Sequence, residues 1–162
     1  MARTRIEELL SLMALAFEGS QHSLLKNLRS VAPETWDRTP PGGSRSIRDL
    51  VAHVGMFKFM YANRGFRDGS MDYDDPPATP APERLSDPSA AEEWLREGHE
   101  YLTECIRELE SDAELDAPRR AHWGDLVSTY FLVTTMLEHD TYHAGEINHA
   151  RALLQDDDRW KH

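Results

Sequence analysis

Apolar side chains recurring at steps of three and four residues, sustained over four separate stretches, restrict this chain to long amphipathic helices packed against one another. Ile6, Leu9, Leu10, Met13, Phe17, Leu24, Leu28 and Val31 mark the first stretch, which the spacing predicts as one long helix ending before Pro33. The turn-forming run TPPGGSRS follows, and Ser46 with Asp49 forms a capping-box pattern that opens a second helix through about Asn63. From Arg64 to Asp87 the sequence is rich in Pro, Gly and Asp and holds no sustained period. A connection of that length is expected to be functional or demanded by topology, and here it lets the flanking helices run in the same direction.

A third helix is expected to begin near Asp87, Pro88 and Ser89, with Ser89 and Glu92 as its capping pair, and to run to about Ser111. The segment DAELDAPRRAHWGD leads into a fourth, for which Asp125 is the expected cap and which extends from Leu126 to about Leu154. Only WGDLVSTYFLV carries strand-like density, and its length and continuation favour helix. The expected fold is all-α: a four-helix bundle with a long crossover between helices two and three, in one domain covering residues 1–162.

Composition narrows the function classes. Against 29 acidic residues stand 15 Arg and 3 Lys, a formal net charge of −11. Such a surface repels phosphate backbones, and no polybasic patch is present, so neither nucleic acid nor a membrane surface is expected as a partner. The one cysteine, Cys105, falls among Leu102, Ile106 and Leu109 at helical spacing, where a buried inert thiol is expected. The N-terminal run MARTRIEELLSLMALAF is interrupted by Glu7 and Glu8 with no small-residue cleavage site after it, which points to a helix of a cytoplasmic protein.

The stretch LEHDTYHAGEINHAR concentrates three histidines in eleven residues. His139 and His143, four apart, share a helix face with Leu132, Met136, Ile147, Ala150 and Leu154, so both imidazoles point into the bundle. His149 lies about 120° round the helix from His143 and is expected outside. On the second helix, His53 stands in the stripe of Leu50, Phe57 and Met60. A lone histidine on an apolar stripe is commonly a hydrogen-bonded core residue, and that reading stays open for His53. Two inward imidazoles on one face are harder to satisfy by packing, because each needs a polar partner. A divalent ion supplies one partner for all three, and three histidines with an open fourth position make a catalytic type of metal site. HDTYHAGEINH also approaches the H-E-x-x-H-x-x-G-x-x-H zinc-protease signature, but Asp140 replaces its glutamate and Gly145 arrives one residue early.

SIRDLVAHVGMFKFMYANR and LEHDTYHAGEINHAR together resemble the DinB-like superfamily of metal-binding four-helix bundles, which includes bacillithiol- and mycothiol-dependent transferases; the second segment is similar to its H-D-x-x-H-x-G-[QE]-I signature. The resemblance implies that His53, His139 and His143 hold one divalent metal, zinc or nickel being common, and that a homodimer forms. It also suggests that Glu146 orients a ligand histidine. A plain solvent-facing helix residue is the alternative for Glu146, and Asp140 is expected either to bond an imidazole or to pair with an arginine across the bundle. His122, Trp123 and Tyr130, near the start of the fourth helix, are candidate pocket residues.

Thiol transfer is the chemistry expected from such a site: a metal-dependent S-transferase activating a low-molecular-weight thiol towards a small electrophile. The Arg-heavy, Ala-rich composition favours mycothiol over bacillithiol through coding bias alone. Metal-dependent hydrolysis and a non-catalytic metal-binding stress protein are the alternatives.

Overall fold

The computed structural model describes residues 3–160. It is built on helices α1 (Arg5–Ala14), α2 (Leu24–Leu28), α3 (Ile47–Phe66), α4 (Pro88–Arg107) and α5 (Thr129–Gln155), with a two-stranded antiparallel ribbon of β1 (Pro118–Arg120) and β2 (Leu126–Ser128). The three long helices and the α1–α2 arm form the four-helix arrangement that the apolar periodicity predicts. Among the described residues no helix is long and apolar enough to cross a membrane.

The first arm is not one helix. Thr4 and Glu7 form a capping box on α1, but the helix widens into a π turn at Leu15–Gly19 and breaks before Ser23 caps α2. Phe17 and Leu24 both remain buried across the interruption. The π turn sets the Phe17 ring flat against His99 of α4, with centroids 3.8 Å apart and an interplanar angle of 2°.

Ser46 and Asp49 close a full capping box on α3, as their spacing predicts, and α3 continues three residues past Asn63 to Phe66. The cap of α4 differs from expectation: the Asp87 carboxylate accepts from the backbone N–H groups of Ser89 and Ala90, with Pro88 at the first helical position, and α4 ends at Arg107. An aspartate directly ahead of that proline already meets the exposed donors, so Ser89 lies inside the first turn. At α5 the cap is Ser128, which accepts from the Phe131 N–H. Asp125 instead accepts from the indole of Trp123, and Leu126 to Ser128 pair with β1.

Pairs of contacts fix the directions. Gly55 faces Trp94, Lys58 faces Gly98 and Arg67 pairs with Glu108, so α3 and α4 run parallel and need the long crossover. Lys58 meets Asp140 and Gly65 meets Leu132, so α5 runs antiparallel to α3. A Cβ on Gly55 would fall 2.2 Å from the Trp94 ring, so the absence of a side chain is what lets α3 and α4 approach this closely. The crossover is tied down by two indoles, Trp94 donating to the Pro77 carbonyl and Trp36 to that of Leu85. Cys105 is 2% exposed, and burial pushes its thiol pKa up, as expected of an inert core cysteine.

Candidate metal centre

His53 comes from α3, and His139 and His143 from successive turns of α5, so the antiparallel pairing of two helices assembles the cluster. One nitrogen from each ring lies within 4.8 Å of the other two. The Nε2 atoms of His53 and His139 are 3.3 Å apart. Metal–nitrogen bonds of about 2.0–2.1 Å in tetrahedral geometry place neighbouring nitrogens about 3.3–3.4 Å apart, so this pair already has the separation that a shared ion requires. His143 directs Nδ1 to Glu146 Oε2 at 2.5 Å, which leaves Nε2 as its available donor atom. These three residues could hold a metal ion, and among the described residues no further histidine, cysteine or carboxylate joins the group.

The electrostatics favour the metal-binding protonation state. Burial, then the charge of neighbouring His143, pushes the His53 pKa down to about 4. Burial followed by His143 and His53 pushes His139 down to about 3. His143 is lowered by burial as well, with Glu146 opposing. All three are therefore neutral at physiological pH, with lone pairs available for coordination.

Asp140 serves a different purpose from either of those expected. Its carboxylate is 2% exposed and both oxygens lie 2.7 Å from Nζ of Lys58, itself 1% exposed. One residue beyond His139, Asp140 is turned about 100° away from the imidazole cluster, where a lysine of α3 faces it in place of an arginine. Burial raises its pKa, while Lys58 opposes this. Phe17 and His99 complete the surroundings: Lys58 Nζ lies 4.9 Å from the Phe17 ring centroid and 3.5 Å from His99 Nδ1, too long for a strong hydrogen bond. Burial and the Lys58 charge push His99 down to about 2.

Of the remaining candidates, His122 is brought near the site through Phe57. The Phe57 ring centroid is 4.6 Å from His53, 5.6 Å from His139 and 4.8 Å from His122, and His122 also packs on Tyr61 at 4.6 Å. Nδ1 of His122 is buried without a hydrogen-bond partner, and burial lowers its pKa. Trp123 joins the same wall through Tyr61 but is 42% exposed. Tyr130 does not reach the histidines. It lies nine residues before His139, about half a turn out of phase, and its ring sits under Arg5 of α1 at 5.5 Å. His149 is exposed.

Three residues escaped the sequence reading. Lys58 and His99 were hidden because a charged or polar residue on a helix is ordinarily assigned to solvent. Arg45 reaches Glu146 at 3.4 Å from the loop ahead of α3, a contact across 101 positions that no local pattern encodes.

A helical bundle with a half-buried, three-histidine donor set defines the class of protein. The family model of the DinB superfamily matches residues 16–147, and the chain belongs to that superfamily. No curated protein matches the chain.

Proposed function

We propose that the protein is a metal-dependent thiol S-transferase, with zinc or nickel held by His53, His139 and His143 and a low-molecular-weight thiol as one substrate. The observation that carries this reading is the pair of facing Nε2 atoms 3.3 Å apart, beside a third imidazole whose other nitrogen is fixed by Glu146. His53, His139 and His143 would hold the ion, and when bound it would supply Lewis-acid chemistry that favours the thiolate form of a thiol.

The chain's own residues supply the rest. Glu146 accepts a hydrogen bond from His143 Nδ1–H and so fixes ring orientation and tautomer. Phe57, Tyr61 and His122 form an aromatic wall beside the ligands, suited to an apolar electrophile. In the reaction, the thiol proton passes to solvent, the sulfur forms a bond to the electrophilic carbon, and the leaving group departs with its electron pair. Hydrolysis is less well supported, because the carboxylate nearest the ligands, Glu146, is already engaged by His143 and Arg45.

Zinc- or nickel-loaded protein should consume 1-chloro-2,4-dinitrobenzene with saturable dependence on an added small thiol, above the uncatalysed rate, and lose this with His139→Ala and His143→Ala. Turnover of ester or amide substrates without any thiol would instead establish hydrolysis. Retention of metal with neither activity would leave a binding protein.

A further inference from the structure

One helical turn from the candidate ligands, a cleft of about 410 Å³ opens between the loop ahead of α3 and the C-terminal half of α5. Its walls include Gly43, Arg45, Leu50, Glu146, His149 and Leu153. Leu50 precedes His53 by one turn of α3, and Glu146, which lines the cleft, bonds His143 Nδ1 directly, so the cleft borders the imidazole cluster. A molecule reacting at the histidines and extending this way therefore meets Arg45.

The charged groups lining the cleft are one guanidinium, Arg45, whose side chain is 40% exposed, and one carboxylate, Glu146. Glu146, the carboxylate within the cleft, has Oε2 bonded to His143 and Oε1 facing Arg45. Among the described residues Arg45 makes one side-chain contact, to Glu146 at 3.4 Å through a single terminal nitrogen, which leaves most of its donors available there. A planar fork of free N–H donors beside a satisfied carboxylate matches a second carboxylate, and the exposed imidazole of His149 adds another donor at the rim.

We propose that Arg45 makes this cleft the binding place for a carboxylate group of the substrate, so that the protein selects carboxylate-bearing thiols over neutral ones. The inference rests on the thiol-transferase reading for the identity of the reacting group, while the cleft's preference for carboxylates stands on the cleft itself. Arg45 is then a specificity-determining residue. On the other side of His53, one turn further along α3, lies the wall of Phe57, Tyr61 and His122, which suits an apolar group.

Two calorimetric titrations test the proposal. In the first, glutarate is added to metal-free protein: saturable binding to the parent, weakened about tenfold or more in Arg45→Gln and partly kept in Arg45→Lys, is expected for loss of a charge-assisted contact. Absence of saturable binding, or equal binding in parent and Arg45→Gln, overturns the cleft assignment whatever the metal does.

In the second, zinc-loaded protein is titrated with N-acetylcysteine and with its amide, which differ only in the carboxylate. The parent should favour the acid by about tenfold and Arg45→Gln should lose the preference. If Arg45 acts only by orienting Glu146, its replacement lowers metal affinity and leaves the ratio between the two thiols unchanged, which contradicts the proposal. Failure of both thiols to bind, with glutarate binding intact, counts against the thiol reading and supports the carboxylate cleft.

Discussion

His139 and Asp140 are neighbours in sequence and both face α3, yet they enter opposite kinds of polar cluster. Asp140 meets Lys58 with both oxygens at 2.7 Å and almost no exposure, a closed pair in which each charge answers the other. His139 meets His53 at 3.3 Å, two like groups held together with their charged forms suppressed. The closed pair has no remaining demand for a ligand, whereas the imidazoles bring one ring nitrogen each to within 4.8 Å of the others. Polarity buried in a helical core thus divides into a fixed pair that joins helices and an incomplete donor set that can accept something from outside.

The largest test of this contrast removes one member of the closed pair. Lys58→Met leaves the Asp140 carboxylate buried without its cation and should destabilise the fold by about 3–5 kcal/mol in urea unfolding, with most of it recovered by adding Asp140→Leu. The double variant should keep its metal-binding capacity, because neither residue supplies a donor to the histidine cluster. A Lys58→Met cost below about 1 kcal/mol would contradict the description of Asp140 and Lys58 as a closed, buried pair.

Acid titration probes the open cluster. Burial holds His53 at about 4 and His139 at about 3, below the ordinary histidine value of 6.5. As pH falls below about 6.5, the unfolded chain takes up protons that the folded chain refuses, so metal-free protein should lose stability. The loss should be about 1 kcal/mol per histidine by about pH 5, allowing for partial solvent screening, and should level off only once the folded-state values are passed. Urea midpoints unchanged between about pH 7 and 5 would mean that these rings are not held neutral by the fold.

A smaller effect should separate the third imidazole from the other two. Glu146→Gln weakens the partner of His143 Nδ1 and should lower zinc affinity by about 10- to 100-fold in chelator competition. Because the Glu146 side chain is 30% exposed, unfolding free energy should move by no more than about 0.5 kcal/mol. Unchanged zinc affinity would show that Glu146 does not orient a ligand.

Much of this was legible in the sequence where a local period carries it. The i, i+4 spacing of His139 and His143 and the position of His53 within an apolar stripe placed all three on facing helix surfaces. The α3 capping box was legible because Ser46 and Asp49 satisfy each other three residues apart. The break between α1 and α2 was not, since Phe17 and Leu24 are seven residues apart, about two helical turns, and the apolar phase passes through the interruption unchanged.

The β1–β2 ribbon was missed because three-residue strands are too short to show a period of two. Lys58 was missed for a different reason: a lysine within FKFMYAN gives no sign of burial unless its partner is known, and Asp140 lies 82 residues away. Tyr130 could have been set aside from sequence, because nine residues of helix carry it to the face opposite His139.

The most direct test of the central claim is elemental analysis of tag-free purified protein beside the His139→Ala, His143→Ala double variant. The account predicts about one zinc or nickel per chain in the parent and none in a folded variant. A parent that takes up neither metal after incubation with zinc and nickel would contradict it, and the three imidazoles would then be core packing.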